Sequence, residues 1–234
     1  MSALYLYGVT RPRRLPPRLS EKGIALIRSG DRAAIVSPVD ANSPVEATRT
    51  NLLAHADVVE ELHERAVVLP TRFGIVLPDQ AAVVELLAAP ELVTLLQLHR
   101  DTAELTLKGA YEETVIGELP GLGRLRAAYR RSPSFENGFA LGEAVAGELA
   151  RRRSHDLARV LSSVEPLALE VRVGEPSGEY GALNLALLVK RSGVAAVSAA
   201  LDELAAELSP PLRFTLVGPL PPYSFVSLES QVAA

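Results

Sequence analysis

Arg72 is the residue whose surroundings constrain its chemistry most. A guanidinium next to Phe73 and preceded by the apolar Val67, Val68 and Leu69 needs an ion partner if its strand is buried, and otherwise offers its charge to another protein. Tyr223 and Phe225 flank Ser224 just after Pro219, Pro221 and Pro222. Prolines fix φ and remove donors, so this stretch reads as extended, with both rings on one side and Ser224 on the other. The pair is an aromatic clamp that packs on a sheet or faces a partner. Arg72, Tyr223 and Phe225 are therefore the candidate partner-contact residues.

Catalytic chemistry is harder to find. His63-Glu64 opens like a zinc-protease helix, but Val67 stands where the second histidine would be. His55, His99 and His155 have no second ligand at metal spacing and read as surface or half-buried histidines. Gly121-Leu122-Gly123 begins like a dinucleotide loop, yet Arg126 occupies the third glycine position. Neither a nucleophile elbow nor a phosphate-binding loop occurs. No catalytic, cofactor-binding or metal residue is assigned, and the expectation is a protein that is not an enzyme. Two basic groups, Arg11, Arg13, Arg14 and Arg18, then Arg151, Arg152 and Arg153, read as solvated surface. The first of them is also able to attract an acidic partner, and Glu148 and Asp156 lie within helical reach of the second.

At 234 residues the chain is long enough for two small domains with real cores. Apolar residues make up 48% but aromatics only 5%, so the cores must be built from Ala, Leu and Val. A net charge of −4 argues against a nucleic-acid binder. There are no cysteines, which excludes disulfides and thiol chemistry and fits a reducing compartment. The start of the chain lacks a signal-peptide pattern, and the most apolar window, residues 81–98, contains Glu85, Pro90 and Glu91. A cytoplasmic protein that does not enter a membrane is expected.

These residues have to be positioned by mixed elements. Residues 3–9 read as a strand and 10–17 as a basic, proline-rich connection. A hairpin spans 23–28 and 33–37, a helix covers 46–66 with its apolar stripe at Leu52, Leu53, Ala56, Val59 and Leu62, and a strand runs through 67–77. Asp79 caps a helix that Pro90 breaks from the next. Beyond strand 104–111 and a loop near 112–133, Ser132-Pro133 starts a long helix to Val164 with Phe135, Phe139, Val145, Leu149, Leu157 and Val160 on its apolar side. Strands at 167–173, 182–190 and 212–217 and a helix at 194–208 complete the chain. The fold class is α+β, with two α/β-sandwich-type domains at 1–100 and 101–234. The second follows the βαββαβ succession of a ferredoxin-like domain and includes the long helix. The first does not follow that order cleanly, and no strict repeat is evident.

Four stretches in order, Tyr5-Leu6-Tyr7-Gly8-Val9, Leu69-Pro70-Thr71-Arg72-Phe73-Gly74, the strand from Glu104 through Lys108 to Tyr111, and Gly218-Pro219-Leu220-Pro221-Pro222-Tyr223-Ser224-Phe225, make the chain resemble the GvpL/GvpF family of gas vesicle proteins. The resemblance spans residues 4–226. Two positions depart from the family pattern: Leu220 stands where Trp is usual, and Gly109 where a larger apolar residue is usual. The resemblance implies a minor structural or accessory protein in nucleation or assembly of the gas vesicle. Its implied partners are the hydrophobic major shell protein and other accessory proteins, and its implied place is the gas vesicle within the cytoplasm, with no cofactor. A different reading is a ferredoxin-like module that binds a small molecule or regulates.

Overall fold

The computed structural model describes residues 2–41, 45–178, 180–208 and 212–226. Its elements are β1 (Ser2–Thr10), α1 (Pro17–Glu21), β2 (Ala25–Ser29), β3 (Arg32–Asp40), α2 (Arg49–His63), β4 (Val68–Pro70), β5 (Val76–Leu77), α3 (Gln80–Ala88) and α4 (Glu91–Leu98). These are followed by β6 (Thr102–Tyr111), α5 (Val115–Glu118), α6 (Gly123–Arg131), α7 (Phe135–Val164), β7 (Glu170–Gly174), β8 (Gly181–Lys190), α8 (Val194–Glu207) and β9 (Leu212–Leu220). The chain is α+β and forms two compact units, Met1–Glu104 with Gly218–Ala234, and Leu105–Val217. The closing segment thus belongs to the first unit, whereas the sequence reading gave it to the second. Both β6 and β9 run through the point of division.

In the first unit the sheet order is β2-β3-β1-β4, with β5 also paired to β1. β1 is antiparallel to β3, β4 and β5, and β2 to β3. Alternation along the strands, with a register shift in β1 between Leu6 and Gly8, sends Leu6, Val9, Ala34, Val36 and Leu69 to the core shared with α3 and α4, and Ile35 and Val68 to the core shared with α1 and α2. The sheet is therefore covered on both faces. Pro90 separates α3 from α4, which meet at 73°, as the proline predicts. Among the described residues no single helix is long and apolar enough to cross a membrane; α3 and α4 reach that length and apolarity only as a bent pair. Their Val83, Leu86, Leu87, Leu92 and Leu96 are buried in the core.

Two sequence expectations change here. The strand expected over 67–77 is two short strands, because Arg72–Gly74 leave the ladder and turn at Gly74 (φ 93°), while Thr71 and Ile75 still bond to β1. The proline-rich stretch ends in the one-and-a-half-turn α1, with Pro17 in its first turn, where a missing N–H costs nothing. With α1 counted, the unit reads β1, α1, β2, β3, α2, β4, the same βαββαβ succession as the second unit.

In the second unit the order is β7-β8-β6-β9, the ferredoxin-like arrangement expected there. Its core joins Leu105, Leu107, Leu185 and Leu187 of the sheet to Val160 and Val164 of α7 and Val197, Leu201 and Leu204 of α8. The segment read as a loop contains α5 and α6. Ser134 caps α7 by accepting from the Asn137 N–H at 3.2 Å. Only Asp156, Val160 and Val164 of this 30-residue helix are buried, so the expected stripe is covered at one end alone: Phe135 is 85% and Phe139 58% exposed. At Gly109 an added Cβ would lie 2.8 Å from Leu183 Cγ. The buried leucine on β8 fills the space that a larger residue would take.

Candidate partner-contact site

The motif stretches of the first unit meet around one imidazole. β1 presents Tyr5 and Tyr7 on the side facing α2, and α2 brings His55, 5% exposed, against them. Tyr7 stacks on His55 at 5.4 Å between ring centroids, and Tyr5 packs edge-on against Tyr7 at 4.8 Å. Phe73 closes the cluster, 5.9 Å from both Tyr5 and His55. The Gly74 N–H donates to the Tyr5 hydroxyl (3.1 Å), which donates to His55 Nδ1 (2.8 Å), while His55 Nε2–H donates to the Thr71 carbonyl (3.2 Å). That order requires the proton on Nε2, since Nδ1 must accept.

Backbone geometry explains why these residue types are needed. A Cβ at Gly8 would sit 2.5 Å from the Leu69 carbonyl oxygen, so only glycine lets β1 and β4 approach there. Thr71 then ties down the turn twice, its N–H to the Tyr7 carbonyl (3.0 Å) and its hydroxyl to the Leu6 carbonyl (2.8 Å). With Thr71 pinned, Phe73 packs among the rings while Arg72 is exposed.

Burial sets the electrostatics. It pushes the Tyr5 hydroxyl up to about 12, partly offset by the Gly74 N–H, and holds His55 below its ordinary value against the opposing Thr71 carbonyl. Both groups are neutral near pH 7. Beside them opens a cavity of about 160 Å³ lined by Tyr5, Tyr7, His55 and Phe73, with Ser37, Val39 and Val45 and the exposed Asn51 and Ala54 of α2. An aromatic-walled, uncharged concavity of this size suits one apolar side chain of a partner.

Of the three residues singled out in the sequence, Arg72 is exposed, next to the half-buried Phe73. The other two are chiefly structural. Residues 223–225 form a turn, not an extended run: the Phe225 and Val226 N–H groups both donate to the Pro222 carbonyl at 3.1 Å. Phe225 is buried, and Tyr223 packs on the core of α1 and α2. Burial raises the Tyr223 hydroxyl, with further upward pushes from Glu60 and Glu104. Ser224 is the anchor. Its N–H and its hydroxyl each donate at 2.7 Å to Glu104, which is 3% exposed.

His55 and Glu104 are the residues sequence reasoning missed. The α2 stripe is His55, Val58, Val59, Leu62 and His63, while Leu52 and Leu53 are exposed. His99 is also buried, contrary to its reading as a surface or half-buried group, and so is His63 of the incomplete zinc motif. The basic groups are paired within their own units: Arg11 with Asp31 (3.6 Å), Arg18 with Glu61 (3.1 Å), and Arg152 with Asp156 (3.3 Å), as helical spacing predicted for the last. Among the described residues no three His, Cys, Asp or Glu side chains gather in a metal-binding group.

The model of the gas vesicle synthesis protein GvpL/GvpF family matches residues 3–227. The chain belongs to the GvpL/GvpF family. Gas vesicle protein F of Streptomyces sp. (strain CB03234) is 33% identical over 95% of this chain and 98% of its own length, and that of Dolichospermum flosaquae 24% identical over 97% and 98%. Two crystal structures share the fold. GvpF from Anabaena sp. PCC7120 has a TM-score of 0.76 at 22% identity, covering 96% of each chain, and GvpF from Microcystis aeruginosa 0.74 at 21%, covering 95% of this chain and 98% of that one. Membership of GvpL/GvpF ties the protein to gas vesicles.

Proposed function

We propose that this GvpL/GvpF member takes part in nucleation or assembly of the gas vesicle as a non-catalytic accessory or minor structural protein in the cytoplasm. In this reading it binds the hydrophobic major shell protein and other accessory proteins. The observation that carries the proposal is the cavity of the first unit. Two of the motif stretches build its walls, and Arg72 from one of them stands exposed nearby. A subunit destined for a water-excluding shell aggregates when free, and an aromatic pocket that engages one apolar anchor shields it reversibly.

The test is co-elution of the purified protein with the major shell protein, with an unrelated α+β protein as control. Ala54, exposed on α2 and lining the cavity, is the position at which to fill it. Ala54→Phe should reduce the retained shell protein by about tenfold or more, a loss of about 1.4 kcal/mol, while leaving the melting temperature nearly unchanged. Binding by wild type and variant alike would remove the cavity from the reading, and no binding by the folded wild type would remove the shell protein.

A small-molecule or regulatory role is the second reading, favoured by a cleft of about 360 Å³ in the second unit lined by Arg151, Arg152, His155 and Arg159 together with Glu148 and Asp156, which pair with the first two arginines. A thermal shift with small anions in the absence of any shell protein would support it.

A further inference from the structure

β7 ends its sheet in the order β7-β8-β6-β9, and no described strand pairs with its outer side. Val173 shares the core-facing side with Val171, yet it is 57% exposed, and Leu169, just before the strand, is 54% exposed. Glu170 and Arg172 project from the opposite side and form an ion pair at 2.9 Å with both side chains about half exposed. An apolar strand edge of this kind invites another strand, and proteins usually block it with proline or repelling charge.

Here the charges do not repel a copy of themselves. The run Leu169-Glu170-Val171-Arg172-Val173 is complementary to itself under a two-fold axis at Val171. In an antiparallel pair centred there, Val171 faces Val171 of the second copy, Glu170 faces Arg172 twice over, and Leu169 faces Val173 twice over. Every directly opposed pair is apolar with apolar or negative with positive, each worth about 0.2–1 kcal/mol. The end strands β2 and β9 lack this property. β2 carries Arg28 as its one charge, and β9 ends in Pro219 and Leu220.

We propose that β7 is a self-association edge, through which two copies of this protein join their second-unit sheets by antiparallel β7–β7 pairing. The occupant is a second copy because the charge pattern answers itself. A five-residue edge buries less surface than a standard stable interface, so the dimer is a reversible one.

The test is sedimentation equilibrium of the full chain over a wide concentration range, with Arg172→Glu, Glu170→Arg and the double exchange. The wild type should show a monomer–dimer equilibrium. Each single reversal opposes like charges in both cross-strand pairs and should weaken the dimer by about tenfold or more. The double exchange restores opposite signs and should recover the wild-type constant. Unchanged melting curves establish that the single variants are folded. A strict monomer at all concentrations overturns the proposal. So does a dimer indifferent to the single reversals, or one that fails to return in the double exchange. Capture of the edge by a different protein's strand, with this chain monomeric, also overturns it.

Discussion

His55 is the residue around which the first unit is tuned. It is a good acceptor for the Tyr5 hydroxyl and a donor to the Thr71 carbonyl only while neutral with its proton on Nε2. Its folded pKa lies below the ordinary 6.5, through burial. Below about pH 6.5 the unfolded chain therefore binds a proton that the folded chain does not, so stability falls as pH falls; above that value the residue makes no difference. The melting temperature of the wild type should drop more steeply between about pH 7 and about pH 5 than that of His55→Gln, although the variant starts lower. Equal slopes would mean that another group carries the acid sensitivity. The sequence offered little warning of this role. Tyr5, Tyr7, Thr71 and Phe73 stand in recognisable stretches, but His55 is a lone polar residue one helical step away from the apolar positions that first draw the eye. Its phase with Val58, Val59 and Leu62 was the usable signal, obscured by Leu52 and Leu53, which are apolar and exposed.

Among the elements, those with strong periodicity were legible and those shaped by contact were not. The hairpin of β2 and β3, the break at Pro90 and the βαββαβ order of the second unit follow from turn residues, proline chemistry and alternation. Helix α1 did not, because five residues carry no periodic signal and their prolines read as loop. The break between β4 and β5 falls after Thr71, whose two hydrogen bonds to β1 hold the chain there while the register to β1 shifts before β5, and no local pattern encodes those partners. Strand β6 gives the test at this scale. Gly109 is matched to Leu183, so Gly109→Ala should destabilise the protein by about 1–3 kcal/mol in denaturant melts. Combining it with Leu183→Ala, which vacates the colliding carbon, should cost less than the sum of the two single changes. Strict additivity would show that the backbone, and not the leucine, absorbs the strain.

For the whole molecule, the two units share one succession of strands and helices, β2-β3-β1-β4 in the first and β7-β8-β6-β9 in the second. Neither identity of sequence nor equal helix length reveals it, since the crossover is 5 residues long in α1 and includes the 30-residue α7 in its counterpart. The second unit lies within the chain of the first, which resumes at Gly218. A chain ending at Val217 should therefore lose amide-exchange protection throughout residues 2–104, where the Glu104 carboxyl is left without Ser224, and keep it in 105–217. Retained protection in both would show the closing segment to be dispensable.

That same nesting sets a schedule for biosynthesis. A ribosome releases the two tyrosines and the LPTRF stretch first, the whole second unit next, and Ser224 only after it. The pocket-bearing unit thus stays unfinished until the second unit has been made, and it gains the Ser224 anchor only afterwards.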